Sequence, residues 1–164
     1  MFPEKTLMKA QKLLEVCNEK GLHVSTVESC TGGLISGCLT AVPGSSNVVD
    51  RTFVTYTNEA KIEMVCVPAL LFNEVGAVSE EVARAMAEGA LNNSNADVTG
   101  SVTGIAGPGG GTETKPVGLV HMAAARKGYE TLHLQYIFEG DRNAVRLQSV
   151  NTVIDLMLRQ SELT

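Results

Sequence analysis

The sequence predicts an α/β fold in which a mixed β-sheet carries helices on both of its faces. Helical and strand-like hydrophobic patterns alternate through the first part of the 164-residue chain. Two strand-like patterns then follow each other around Lys127 and Gly128, which is typical of an antiparallel hairpin. No repeat, linker or shift of composition divides the chain, so we expect a single domain over residues 1–164.

Each predicted element rests on local signals. The helices repeat apolar residues at three- and four-residue spacing, and the strands alternate and are rich in β-branched side chains. Gly21 is a natural helix stop, while Ser79 and Asp141 are natural helix caps. In chain order the predicted elements are helix 4–20, strand 23–28, helix 31–40, strand 48–56, a short helix from Asn58, irregular chain over 67–78, a helix from Ser79, strands 97–104, 117–125 and 129–138, and a helix from Asp141 to about Arg159.

Composition and charge narrow the function classes. The chain is 44% hydrophobic and 19% charged, which is typical of a globular protein. The net charge is −5 and no basic run occurs, so direct binding to a nucleic-acid backbone is not expected. No apolar run is long enough to span a bilayer, and no signal peptide opens the chain, so a cytoplasmic location is expected. The four cysteines match no zinc or disulfide framework and are expected to be free thiols.

Ser29 is the candidate nucleophile. It lies where a strand is expected to end and a helix to begin, and the first amides of a helix are free to stabilise an oxyanion. Gly32 and Gly33 would let a substrate approach the backbone. The alternative is that Ser29 or Thr31 is only a helix cap. Cys30 is a second candidate nucleophile, with its side chain expected to point away from that of Ser29.

Lys61 and Tyr56 are the candidate proton-handling pair. Burial can lower the pKa of a lysine toward about 7–8, where the amine acts as a base. Tyr56 lies five residues earlier across a strand-to-helix turn, so both side chains could face one cleft. The alternative for Lys61 is a solvated surface lysine. The three histidines, His23, His121 and His133, lie in no catalytic motif and are expected to be structural or exposed.

A glycine-rich segment and two arginines suggest an anion site. Residues 103–111 hold five glycines and one proline, and neither a P-loop nor a dinucleotide fingerprint is present. Such a loop can form a nest of amides for a phosphate or carboxylate, or can be a flexible crossover. Arg142 and Arg146 lie one turn apart at the start of the last helix, which is a good phosphate site unless both arginines only pair at the surface.

Taken together, the motifs resemble the family of the CinA C-terminal domain, in the stand-alone form that is a nicotinamide-nucleotide amidase. The resemblance covers roughly residues 5–160. It is carried by ESCTGG at 28–33, YTNEAK at 56–61, GAVSE at 76–80, TGIAGPGGG at 103–111, KPVG at 115–118 and GDR at 140–142.

The resemblance implies a three-layer α/β/α sandwich around a mixed, mostly parallel sheet. It also implies deamidation of nicotinamide mononucleotide to nicotinate mononucleotide and ammonia, with Ser29 as nucleophile, Lys61 as base and Tyr56 assisting. No metal or cofactor is required, and a homodimer or larger homo-oligomer is expected. The N-terminal domain that many relatives carry is not expected in this chain, nor is a second activity.

The resemblance also suggests which residues bind the substrate. Backbone amides near Thr31, Gly32 and Gly33 would stabilise the oxyanion, and we expect Arg142 or Arg146 near the phosphate. The ribose-phosphate would lie along the glycine-rich segment, against Thr103, Gly104, Ala106, Gly107, Gly109 and Gly110.

Overall fold

The computed structural model describes residues 1–164 and consists of six α-helices and one five-stranded sheet. The helices are α1 (Glu4–Lys20), α2 (Leu34–Thr40), α3 (Asn58–Val65), α4 (Leu70–Glu74), α5 (Glu80–Asn92) and α6 (Arg142–Glu162). The strands are β1 (Val24–Glu28), β2 (Val49–Val54), β3 (Val98–Gly104), β4 (Leu119–Arg126) and β5 (Leu132–Ile137). None of the helices is both long enough and apolar enough to cross a membrane.

The sheet is mixed, with the strand order β2-β1-β3-β4-β5. Strand β1 is central to a parallel group, since it pairs in parallel with both β2 and β3. Strand β4 pairs antiparallel with β3 and β5, so it alone runs against the other four. The α/β fold class with a mixed, mostly parallel sheet is therefore confirmed.

The helices cover both faces of the sheet, and β3 shows how the sequence achieves this. On one face Val98 and Val102 pack into the core beneath α1, α2 and α6. On the other face, the Thr99 hydroxyl donates to a carbonyl of α5 at 2.7 Å, and the Ser101 hydroxyl does so at 2.6 Å. These two hydroxyls are buried at little cost because each has a backbone acceptor.

Two sequence predictions fail locally. Helix α2 begins at Leu34 rather than Thr31, because Gly32 and Gly33 adopt positive φ angles of 57° and 103° and form a turn before the helix. The segment 67–78, expected to be irregular, contains α4. This five-residue helix has no side-chain cap and no buried residue, so the sequence carries little signal for it.

Candidate active site

Ser29 lies at the carboxyl end of β1, in the middle of the parallel part of the sheet. Its amide donates to the Val102 carbonyl of β3 at 3.1 Å, so the residue is tied to the neighbouring strand. The carboxyl ends of parallel strands meet at one edge of the sheet, where α/β proteins commonly bind ligands. The β1 end therefore brings Ser29 beside the segments that follow β2 and β3.

Lys61 meets Ser29 in the structure. Its Nζ lies 3.0 Å from the Ser29 Oγ, and it donates to the Thr55 and Tyr56 carbonyls at 2.8 and 3.3 Å. Helix α3 places it there, and the Thr57 hydroxyl caps that helix by accepting from the Ala60 amide. Only 1% of Lys61 is exposed to solvent.

Burial lowers the pKa of Lys61 to about 8. Removal from water disfavours the charged ammonium, and no carboxylate lies within ion-pair distance to compensate. A neutral amine has two N–H groups and one lone pair. The Thr57 carbonyl, at 3.5 Å, is a third backbone acceptor near Nζ. When the N–H groups donate to these carbonyls, the lone pair can accept the Ser29 hydroxyl proton.

The rival nucleophile and the histidines take no part in this contact. Burial raises the pKa of the Cys30 thiol to about 11, so the thiol stays protonated, and the side chain packs into the hydrophobic core. His121 and His133 hydrogen-bond to each other at 3.0 Å, while His23 lies near Asp97 before the start of β1. No histidine contacts Ser29 or Lys61.

Tyr56 joins the site differently from what was expected. Its main-chain carbonyl accepts from Lys61, but the residue is 60% exposed and its phenol makes no hydrogen bond with the amine. The phenol oxygen instead accepts from Nη2 of Arg142 at 3.4 Å. The structure thus places Tyr56 at the wall of the site, with its phenol hydrogen-bonded to Arg142 and not to Lys61.

Glu28 is a buried residue of the site to which sequence analysis gave no role. Its carboxylate accepts from the Thr26 and Thr31 hydroxyls at 3.0 and 2.6 Å. It also accepts from backbone amides at the start of α2, those of Gly33, Ile35 and Ser36. A carboxylate four residues before a Gly-Gly pair that precedes a helix is the sequence feature that could have indicated this cap.

This capping corrects the expected set of oxyanion donors. The Gly33 amide donates to the Glu28 carboxylate, and the Gly32 amide donates to the Ser29 carbonyl at 3.1 Å. Of the three amides expected to stabilise an oxyanion, only that of Thr31 has no acceptor in the protein, and Thr31 is fully buried.

A pocket of about 230 Å³ opens at the Ser29–Lys61 pair. Thr103, Gly104 and Ala106 of the glycine-rich segment line it, whereas Gly107, Gly109 and Gly110 do not. The Gly107 carbonyl accepts from Nη1 of Arg142 at 2.7 Å and so ties the segment to α6. We call this the Ser29 pocket; its lining consists of Ser29, Cys30, Tyr56, Asn58, Lys61, Ala77, Val78, Thr103, Gly104, Ala106 and Arg142.

The two arginines of α6 are placed in different positions. Arg142 lines the Ser29 pocket, as expected for a residue that meets a ligand. Arg146 does not line it; its Nε and Nη2 donate to the Cys30 and Thr31 carbonyls at 3.1 and 3.2 Å. The expectation that either arginine could meet a phosphate is therefore narrowed to Arg142.

Comparisons with known proteins agree on one family. The family model described as the CinA C-terminal domain matches residues 7–161. A CinA-like protein of Citrifermentans bemidjiense is 46% identical over 159 residues, 97% of this chain and 38% of that protein. A CinA-like protein of Akkermansia muciniphila is 50% identical over 133 residues, 80% of this chain and 32% of that protein. The chain spans about a third of the length of the curated relatives it matches.

Solved structures agree with this relationship. The competence/damage inducible protein CihA from Agrobacterium tumefaciens has a TM-score of 0.96 and 46% sequence identity, and the match covers 99% of both chains. The competence damage-inducible protein A (ComA) from Klebsiella pneumoniae has a TM-score of 0.90 and 30% identity, covering 94% of this chain and 96% of that one.

Proposed function

This chain belongs to the CinA C-terminal domain family, and we propose that it is an amidohydrolase that converts nicotinamide mononucleotide to nicotinate mononucleotide and ammonia. The observation that carries the proposal is the 3.0 Å contact between Lys61 Nζ and Ser29 Oγ in a buried setting. A serine hydroxyl becomes an effective nucleophile when an adjacent base removes its proton. With a pKa of about 8, Lys61 is partly neutral near physiological pH and can be that base.

The reaction proceeds through an ester of Ser29. Ser29 Oγ attacks the carboxamide carbon while its proton passes to the Lys61 amine, and the carbonyl electrons move onto oxygen. The tetrahedral intermediate collapses as Lys61 returns the proton to the leaving nitrogen, which departs as ammonia. Water, deprotonated by the same amine, then hydrolyses the ester and releases the carboxylate product.

The shape of the site suits a ring joined to a phosphate. A second hollow of about 390 Å³ adjoins the Ser29 pocket and shares Ala106 and Arg142 with it. We assign the carboxamide ring to the Ser29 pocket and the phosphate to the Arg142 guanidinium between the two hollows. Asp141 already caps α6 by accepting from the Ala144 amide, so the helix amides are a poorer phosphate site than Arg142.

Ammonia release from nicotinamide mononucleotide tests this proposal. We expect wild-type protein to release ammonia and Ser29→Ala to release none above background, with the exposed Ser46→Ala as the matched control that keeps the wild-type rate. Nicotinamide and nicotinamide riboside serve as comparison substrates without a phosphate. Full release by a folded Ser29→Ala variant contradicts the mechanism, and equal rates on all three amides contradict the assigned phosphate contact.

A second candidate is a nucleotide-binding module without turnover. The names of the structural relatives refer to competence and damage induction and not to an amidase. The acidic net charge of −5 makes direct contact with DNA a poor explanation of a role in competence. Calorimetry with nicotinamide mononucleotide distinguishes the two functions, since binding without ammonia release favours the module and turnover favours the amidase.

A further inference from the structure

The turn that follows Ser29 is held from two sides. On one side Arg146 of α6 donates from Nε to the Cys30 carbonyl at 3.1 Å and from Nη2 to the Thr31 carbonyl at 3.2 Å. On the other side the Thr31 hydroxyl donates to the Glu28 carboxylate at 2.6 Å. A guanidinium is a rigid planar fork, so its contact with two consecutive carbonyls fixes the orientation of both peptide planes.

Most backbone amides around this turn already have acceptors. The Ser29, Gly32 and Leu34 amides donate to the carbonyls of Val102, Ser29 and Thr31. The Gly33, Ile35 and Ser36 amides donate to the Glu28 carboxylate. The Cys30 and Thr31 amides alone have no acceptor in the protein between residues 29 and 36. Thr31 is fully buried, whereas Cys30 lines the Ser29 pocket. Of these two residues only Cys30 lines the pocket, so its amide is the candidate donor for a substrate oxygen.

We infer that the Cys30 N–H is the oxyanion donor of this site and that Arg146 is the positioning residue that holds it in place. The inference rests on the proposed function, because an oxyanion forms only when Ser29 attacks a carbonyl carbon. As the bond from Ser29 Oγ forms, the carbonyl electrons move onto oxygen, and a preorganised amide beside that oxygen lowers the barrier. Arg146 touches neither the substrate nor Ser29 and acts only through the Cys30 and Thr31 carbonyls.

Arg142 and Arg146 should therefore affect different kinetic constants. Arg142 lines the pocket and should influence KM for a phosphate-bearing substrate. Arg146 is engaged with two backbone carbonyls and should influence kcat. Loss of one oxyanion donor typically lowers kcat by about 10²–10³, and a displaced donor should lower it by less. We expect a tenfold to hundredfold fall in kcat for Arg146→Lys with KM nearly unchanged.

Arg146→Lys is the discriminating variant because it keeps the positive charge and removes the fork. Its matched control is Arg159→Lys, an exposed arginine on the same helix. The first measurement is the rate at which a fluorophosphonate labels Ser29, followed by intact mass. In that step the Ser29 Oγ–P bond forms, the P–F bond breaks with loss of fluoride, and the serine proton passes to Lys61. The probe contains neither an amide nor a nucleotide, so the rate does not depend on the substrate assignment.

We expect Arg146→Lys to label at least tenfold more slowly than wild type, while Arg159→Lys labels at the wild-type rate. The pH midpoint of labelling should be unchanged in Arg146→Lys, because no contact joins Arg146 to Lys61. Wild-type labelling rates in a folded Arg146→Lys overturn the inference and leave the proposed function standing. A variant that labels normally but raises only KM makes Arg146 a phosphate ligand and also overturns it. Wild-type protein that the probe does not label contradicts the Ser29 nucleophile, and with it both proposals.

Discussion

The buried amine of Lys61 should make the stability of the protein depend on pH with a definite sign. Burial lowers its pKa from 10.5 to about 8 in the folded state, whereas the unfolded chain keeps the ordinary value. Between these two values the unfolded chain binds a proton that the folded protein does not. The free energy of unfolding therefore rises with pH across this window, and the gain is lost as the pH falls through 8.

The magnitude follows from the size of the pKa difference. One pKa unit corresponds to about 1.4 kcal/mol, so the full difference is worth roughly 3 kcal/mol. Between pH 7 and pH 10 most of it is realised, and we expect the contribution of Lys61 to the free energy of unfolding to rise by roughly 2.5 kcal/mol.

Lys61→Met removes this titration. Urea denaturation of wild type and variant at pH 7, 8, 9 and 10 gives the difference in free energy of unfolding at each pH. The lost contacts with Ser29 and Thr55 contribute to that difference, but its change with pH is due to the amine. We expect the free energy of unfolding of wild type to increase relative to that of Lys61→Met as the pH rises. A substitution of an exposed lysine, Lys12→Met, should show no such trend. A difference that is constant with pH, or that changes in the opposite direction, would show that Lys61 does not titrate with a lowered pKa in the folded protein.

Three further substitutions test other parts of the structure. Glu28→Gln should lower the free energy of unfolding by about 2 kcal/mol, because three backbone amides lose a charged acceptor; urea denaturation that shows no loss contradicts this capping role. Gly100→Ala should lower the free energy of unfolding by about 1–3 kcal/mol, because the added Cβ would lie 2.5 Å from Met157 Sδ. Gly109→Ala is the control, since its added Cβ meets no atom within 4 Å. Equal denaturation midpoints for the two variants would be inconsistent with this packing. Tyr56→Phe keeps the main-chain carbonyl that accepts from Lys61 and loses only the hydroxyl that contacts Arg142. Steady-state kinetics should therefore show KM rising by up to about tenfold with little change in kcat. A hundredfold loss of kcat would place the phenol in proton transfer.

Local patterns predicted most of the fold because they reflect forces that act over a few residues. Helix α1 begins and ends at the predicted residues because its apolar face is periodic and Gly21 adopts the left-handed conformation that stops it. The Ser79 and Asp141 caps act as predicted, each accepting from an amide three residues later.

The site was only partly predictable because it depends on contacts between distant residues. The sequence predicted Ser29 at the end of one strand and Lys61 in the short helix after the next strand, and the parallel pairing of these strands brings the two residues together. The sequence did not reveal that the Glu28 carboxylate accepts from backbone amides at the start of α2, since a carboxylate at a strand end can equally face solvent. Nor did it separate Arg142 from Arg146, because which arginine reaches the pocket depends on how α6 packs against the Ser29 turn.

Activation of Ser29 by Lys61 predicts how kcat/KM for ammonia release from nicotinamide mononucleotide depends on pH. The predicted profile rises with pH and levels off above an apparent pKa of about 8, as the amine loses its proton. Lys61→Arg, which stays protonated over the whole range, should release no ammonia at any pH. A rate that is independent of pH through 8, or a Lys61→Arg variant that retains the wild-type rate, would contradict the account.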